Sequence, residues 1–185
     1  TLQLQQYAQK LSADAPDTHI IVAITKNDIS ELPEDVPVKR YEGTKALIQT
    51  LSGYPNAAVC LIAPDKSDST RIITGTSKGT TPAWFLKAVY ASLEQKNIPI
   101  HFYTNAVVFH RLGWLADDPA LRLYNEANIP AIKIETGADL SDCFSSIAPA
   151  ITQSMSNEWD THYFVLKLHK KPVIINEQHI VITLI

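Results

Sequence analysis

The same three-residue junction occurs twice in this chain, and it limits how the chain can fold. Asn97-Ile98-Pro99 closes one helix-compatible segment, Asn128-Ile129-Pro130 closes the next, and an apolar, strand-like run follows each. Asn accepts the left-handed conformation that ends a helix, and proline then sends the chain into an extended path. From Arg71 to Glu135 the order therefore reads strand, Gly-rich turn, helix, strand, linker, helix, strand. Strands separated by helices favour parallel neighbours joined by right-handed crossovers.

The flanks continue this order. Leu2, Leu4, Tyr7, Ala8 and Leu11 have helical spacing, and residues 19–25 form an apolar, β-branched run that suits a strand buried on both faces. A polar loop at 28–37 leads to a helix at 43–51, a second buried strand at 57–63 and a charged turn at 64–68. A short strand at 71–74 precedes the Gly-rich turn, after which Thr81 has the features of an N-cap and Pro82 those of a first helical position, in a helix reaching Lys96. Strands follow at 98–103 and 130–135, the second after a helix opened by Asp117 or Asp118 with Pro119. A long helix from 140 to about 159 comes next, and runs at 162–168, 173–176 and 179–184 have no helix among them. The expected fold is a three-layer α/β/α domain with a mixed, mostly parallel sheet and a C-terminal antiparallel hairpin and meander on one edge.

With 185 residues and 45% apolar content, the chain holds one core, so residues 1–185 read as a single domain. The net charge of −3, from 16 basic and 19 acidic residues spread along the chain, supplies no concentrated positive field, and nucleic acid is not expected as a partner. Cys60, in an apolar run, and Cys143, in the long helix, read as small core hydrophobes. The opening Thr1 and the apolar residues 180–185 read as the ends of a piece of a longer protein. No run approaches the roughly 20 apolar residues that cross a bilayer, so a membrane anchor is expected outside the fragment.

Gly75-Thr76-Ser77-Lys78-Gly79 spells G-x-S-x-G between a strand and a helix, the setting of a nucleophile elbow. The expected helix start at Thr81 or Pro82 is several residues later than an elbow requires. An acid and a histidine follow in suitable order, Glu135 or Asp139 and then His162 or His179; Ser77, Glu135 and His162 make the first catalytic set to consider. The same turn could instead hold an anion on its amides, or serve as a plain Gly/Ser/Thr loop. Six histidines show neither H-E-x-x-H nor H-x-D spacing, and no metal site is expected from them. The pair Asp117-Asp118 is explained by capping at a helix start.

The order of elements, with Ile72-Ile73-Thr74-Gly75, Thr81-Pro82-Ala83-Trp84-Phe85-Leu86, Gly113-Trp114 and Asn128-Ile129-Pro130-Ala131-Ile132, resembles the M28-type zinc aminopeptidase fold. It is also similar to the membrane-anchored, aminopeptidase-like proteins related to a subunit of GPI transamidase. That family holds two zinc ions with His-x-Asp, further carboxylates, a second histidine and a Glu-Glu pair. Here Gly75-Thr76 stands in place of His-x-Asp and Thr104-Asn105 in place of Glu-Glu, leaving Glu135 as the one carboxylate at a strand end where the fold puts its site. The resemblance thus implies a fold kept without the metal chemistry, with no cofactor, on the non-cytoplasmic side of a membrane.

The expectation that results is a non-catalytic, peptidase-like binding or scaffolding domain, recognising a peptide or partner protein through the loops at the carboxyl ends of the strands. Asp65, Thr76, Ser77, Lys78, Asn105, His110 and Glu135 are the ligand-binding candidates by position. A serine hydrolase using Ser77 is the alternative.

Overall fold

The computed structural model describes residues 41–54, 57–65, 69–102, 106–140, 161–168 and 171–177, with positions 21, 23, 143 and 147. The elements expected at 1–14, 19–25, 28–37 and 179–184, and most of the helix expected from 140 to 159, lie outside the described residues. Along the chain come α1 (Glu42–Leu51), β1 (Val59–Pro64), β2 (Thr70–Ile73), β3 (Gly75–Thr76), β4 (Gly79–Thr80), α2 (Ala83–Gln95) and β5 (Ile100–Phe102). There follow α3 (Ala106–Arg111), α4 (Pro119–Glu126), β6 (Ala131–Thr136), β7 (Tyr163–Leu168) and β8 (Lys171–Asn176).

The two Asn junctions close their helices as the sequence predicts. Asn97 and Asn128 have φ of 55° and 56°. At the first junction Ile98 N–H donates to the Leu93 carbonyl at 3.0 Å and Asn97 N–H to that of Glu94 at 2.9 Å; Ile129 and Asn128 repeat this on Tyr124 and Asn125 at 3.0 and 3.1 Å. Each pair of bonds satisfies carbonyls that a helix end leaves open. Gly113, with φ of 70°, builds a third such closure: Trp114 N–H meets the Phe109 carbonyl at 2.9 Å, and the two rings stack 5.6 Å apart. Replacing Asn128 by alanine is expected to cost about 1 kcal/mol, because a Cβ without a local polar partner disfavours the left-handed region. Asn128→Gly should leave the thermal midpoint unchanged or higher, and equal losses in the two variants would show that the conformation is not the cause.

The central sheet has strand order β1-β6-β2-β5. β1 lies parallel to β6 and β2 parallel to β5, while β2 runs antiparallel to β6. The sheet is mixed and mostly parallel, as expected, but the reversal falls elsewhere than predicted. It occurs inside the central sheet, because only residues 65–69 join β1 to β2. A parallel return needs a crossover of a dozen or more residues, so this short link lays β2 down in the opposite direction. β7 and β8 pair antiparallel as a two-stranded sheet of their own.

Side chains alternate across β6 and divide the core in two. Ile132 and Ile134, with Ile72 of β2, pack against Phe85, Leu86, Val89 and Leu93 of α2, joined by Leu140, Cys143, Ile147, Tyr163 and Val165. Ala131, with Val59 of β1, packs on the other face against Leu51 of α1 and against Leu121 and Tyr124 of α4. Helices thus cover both faces, which gives the three layers. The cysteines fill core positions: burial, then the proximity of Cys143, pushes the Cys60 thiol up to about 12.

Two local expectations are corrected at the start of α2. Pro82 occupies the N-cap, and Thr81 does not cap the helix. Its hydroxyl donates instead to the Ala131 carbonyl at 2.6 Å, while its own carbonyl accepts from Tyr163 Oη at 2.8 Å. Thr81 thereby ties β6 and β7 to the helix start, a long-range role that local spacing does not reveal.

Candidate functional site

The Gly-rich turn is a β-hairpin. β3 and β4 pair antiparallel, with Ser77 and Lys78 at the tip, and α2 begins only at Ala83, so Ser77 does not stand on a strand-to-helix elbow. Packing explains both glycines. A Cβ on Gly75 would stand 3.0 Å from Thr80 Cγ2, and one on Gly79 would stand 3.3 Å from Asn125 Cβ. Asn125 of α4 clamps the hairpin by donating from Nδ2 to Thr76 Oγ1 at 2.9 Å and to the Gly79 carbonyl at 3.0 Å. Thr76 is fully buried, which makes it an anchor of the hairpin and not a surface contact.

Asp117 joins this hairpin to the helices beside it. One carboxylate oxygen accepts from Ser77 N–H at 2.7 Å, the other from Ser77 Oγ at 2.5 Å. His110 Nδ1 of α3 stands 3.6 Å away, and Arg122 Nη1 of α4 stands 3.9 Å away. His110 is buried, and its Nδ1 has no hydrogen-bond partner among the described residues. Burial opposes ionisation of Asp117, but the Ser77 hydroxyl and amide, then His110 and Arg122, together hold its carboxyl below the usual carboxylate range. A carboxyl lowered on folding stabilises the protein above about pH 4 and loses that contribution as the pH falls through its folded value. Asp117→Asn should therefore flatten the acid limb of a stability profile measured by urea unfolding below that pH, and an unchanged limb would exclude the clasp as its source.

Asp118 has a different role. Its Oδ1 accepts from Leu121 N–H at 2.9 Å as the N-cap of α4, with Pro119 at the start of the helix. This matches the sequence reading of the acidic pair as capping residues for Asp118, and the assignment differs for Asp117. Asp118 Oδ2 meets Lys133 Nζ at 2.6 Å, Lys133 Nζ meets Glu135 Oε1 at 3.0 Å, and Arg71 Nε donates to Glu135 Oε2 at 2.6 Å. Arg71 Nη2 reaches the same Glu135 oxygen. Charges alternate along this chain of contacts from the helix cap to the end of the sheet.

The strand registers carry the row further. Ala63 of β1 faces Glu135 of β6, Glu135 faces Arg71 of β2, and Arg71 faces His101 of β5. Paired residues on neighbouring strands share a face, so the four side chains form one line across the whole four-stranded sheet. All four line a cavity of about 460 Å³, with Pro64, Asp65 and Ser69 at its rim. The cavity lies at the carboxyl ends of β1 and β6 and the amino ends of β2 and β5.

Of the ligand-binding candidates, Asp65 and Glu135 come together at this cavity, whereas Ser77, Lys78, Thr76 and His110 belong to the hairpin and its clasp. Asn105 lies outside the described residues. The catalytic set is not assembled as proposed: Ser77 bonds Asp117, Glu135 pairs with Arg71 and Lys133, and His162 Nδ1 stands 3.4 Å from Glu177. Arg71 and His101 were missed. Their only signal in the sequence is a charged residue inside an apolar strand, which does not say what stands opposite. Among the described residues no group of three or more His, Cys, Asp or Glu side chains could hold a metal ion.

A three-layer α/β domain with a polar register row at one end of a mixed sheet is what the fold and site define. By sequence the chain belongs to the TP_0564 family: residues 1–175 match the model of that family's first domain. It is similar to an uncharacterized protein of Treponema pallidum (strain Nichols), at 36% identity over 183 residues, which make up 99% of this chain and 27% of the relative. The chain thus spans about a quarter of the relative's length. No solved structure matches it.

Proposed function

We propose that the domain is a non-catalytic binding or scaffolding module that takes a peptide, or a segment of a partner protein, at the cavity crossed by the Glu135, Arg71 and His101 row. The supporting observation is that row: one register line across all four strands lines an open concavity with polar side chains. Concave sites with a few convergent polar groups are where α/β folds place their ligands. The network that holds Glu135 leaves it ill suited to acid or base work, since both of its oxygens already face cations. Recognition needs no proton transfer, and it suits a pre-set row. The larger context we propose is the extracytoplasmic part of a membrane-anchored protein on a peptidase-like scaffold. No helix among the described residues is long and apolar enough to cross a membrane, so the anchor would come from other segments.

The test is a titration of the isotopically labelled domain with pooled short peptides, followed by amide resonances. Shifts at Ala63, Arg71, His101 and Glu135 are expected, and a panel that moves none of them would refute the reading. Protease accessibility of the tagged full-length protein on intact cells checks the side of the membrane. A serine hydrolase with Ser77 as nucleophile stands second, because Ser77, Asp117 and His110 share one cluster. In that cluster the hydroxyl donates to a carboxylate held ionised and not to an imidazole base. Fluorophosphonate labelling of the wild type but not of Ser77→Ala would establish this second reading, and absence of labelling would remove it.

A further inference from the structure

The ligand of the cavity can be narrowed by charge, on the proposed reading that the cavity is a binding site. The contacts Asp118, Lys133, Glu135, Arg71 alternate in sign and sum to zero. Their anionic end is the N-cap of α4, where the helix amides favour negative charge. Their cationic end is Arg71, which lines the cavity with 42% of its side chain exposed. Glu135, 16% exposed, has Lys133 on one oxygen and Arg71 on the other, so its charge is already compensated within the protein. It orients the guanidinium and does not cancel the field at the mouth.

His101 extends the row one strand further, its Cα paired with that of Arg71. Two nitrogen-bearing side chains thus stand side by side on one face, one held in place by a carboxylate behind it. A planar guanidinium fixed in this way suits a carboxylate, whose two oxygens match its donors. Asp65 at the rim weighs against a ligand with more than one negative charge.

We infer that the cavity receives the C-terminal carboxylate of a peptide, with Arg71 as its principal partner and His101 beside it. The backbone at the end of β1, Ala63 and Pro64, forms the wall along which the preceding residues of the peptide would lie.

The probe is N-acetyl-trialanine with a free carboxylate, compared with its C-terminal amide and with inorganic phosphate, each titrated into the isotopically labelled 185-residue chain. The acid is expected to bind at least roughly tenfold more tightly than the amide, as a charge-assisted hydrogen bond warrants. Arg71→Gln should erase that ratio, and since Glu135 keeps Lys133 in this variant, its thermal unfolding checks that the fold is intact. His101→Gln, which alters an exposed side chain, should reduce the ratio without abolishing it. Acid and amide shifting the cavity resonances equally would overturn the carboxylate assignment while leaving a peptide site in place. Phosphate binding in preference to the acid would overturn it as well. If neither peptide moves any cavity resonance, both this inference and the binding reading fall.

Discussion

Lys133→Met is expected to lower the unfolding free energy by about 3 kcal/mol, the scale on which removing one partner from a largely buried ion pair strands the others. Lys133 is 19% exposed and stands between Asp118 and Glu135, themselves 14% and 16% exposed. Without it, two carboxylates remain in a poorly hydrated setting, and only Glu135 keeps a cation, Arg71. Urea unfolding of Lys133→Met beside Lys133→Met/Asp118→Asn separates the causes. If a stranded charge is responsible, the second change should recover part of the loss; if the loss is one of packing, the double variant should be no better than the single one.

The same contact has a pH signature. Burial opposes the charge on Lys133, but hydrogen bonds and attraction from Asp118 and Glu135 outweigh it and hold the ammonium above its usual range. A base raised on folding contributes its full stabilisation below its unfolded value, about 10.4, and loses it as the pH rises through the folded one. The alkaline limb of the wild-type stability profile should therefore be less steep once Lys133 is replaced.

Leu86→Ala is the second large effect, expected to cost about 3 kcal/mol through lost burial and the cavity left behind. Leu86 is fully buried in the cluster that joins α2 to Ile132 and Ile134 of β6. The contrasting variant is Trp114→Ala. Its ring is 71% exposed and its contact with Phe109 is local to one helix end, so its loss should stay within about 0.5 kcal/mol. Equal losses from the two variants would mean that the face of the sheet carrying α2 is not the main core.

Much of the fold was legible because it rests on contacts within a few residues. The bonds that close the helices at Asn97 and Asn128 span five residues or fewer, and the cap at Asp118 reaches only to Leu121. The direction of β2 was also within reach, since the link from Pro64 to Thr70 is too short for a helical crossover. It was missed because helices were counted between later strands and not between these two. The candidate site was less legible. Asp65 and Glu135 were found by their position at strand ends, whereas the G-x-S-x-G spelling drew attention to glycines whose reason is close packing with Thr80 and Asn125.

The sequence by itself determined where helices stop, which runs become strands, and that helices must cover a sheet on both faces, because each follows from backbone preferences and from side-chain periodicity over one or two turns. Only the tertiary structure decided that Ala63, Glu135, Arg71 and His101 stand in one line and that Asp117 closes on Ser77. Those neighbours are set by strand register and by packing between residues far apart in the chain, and a shift of one residue in register would turn the side chains of the row to the opposite face.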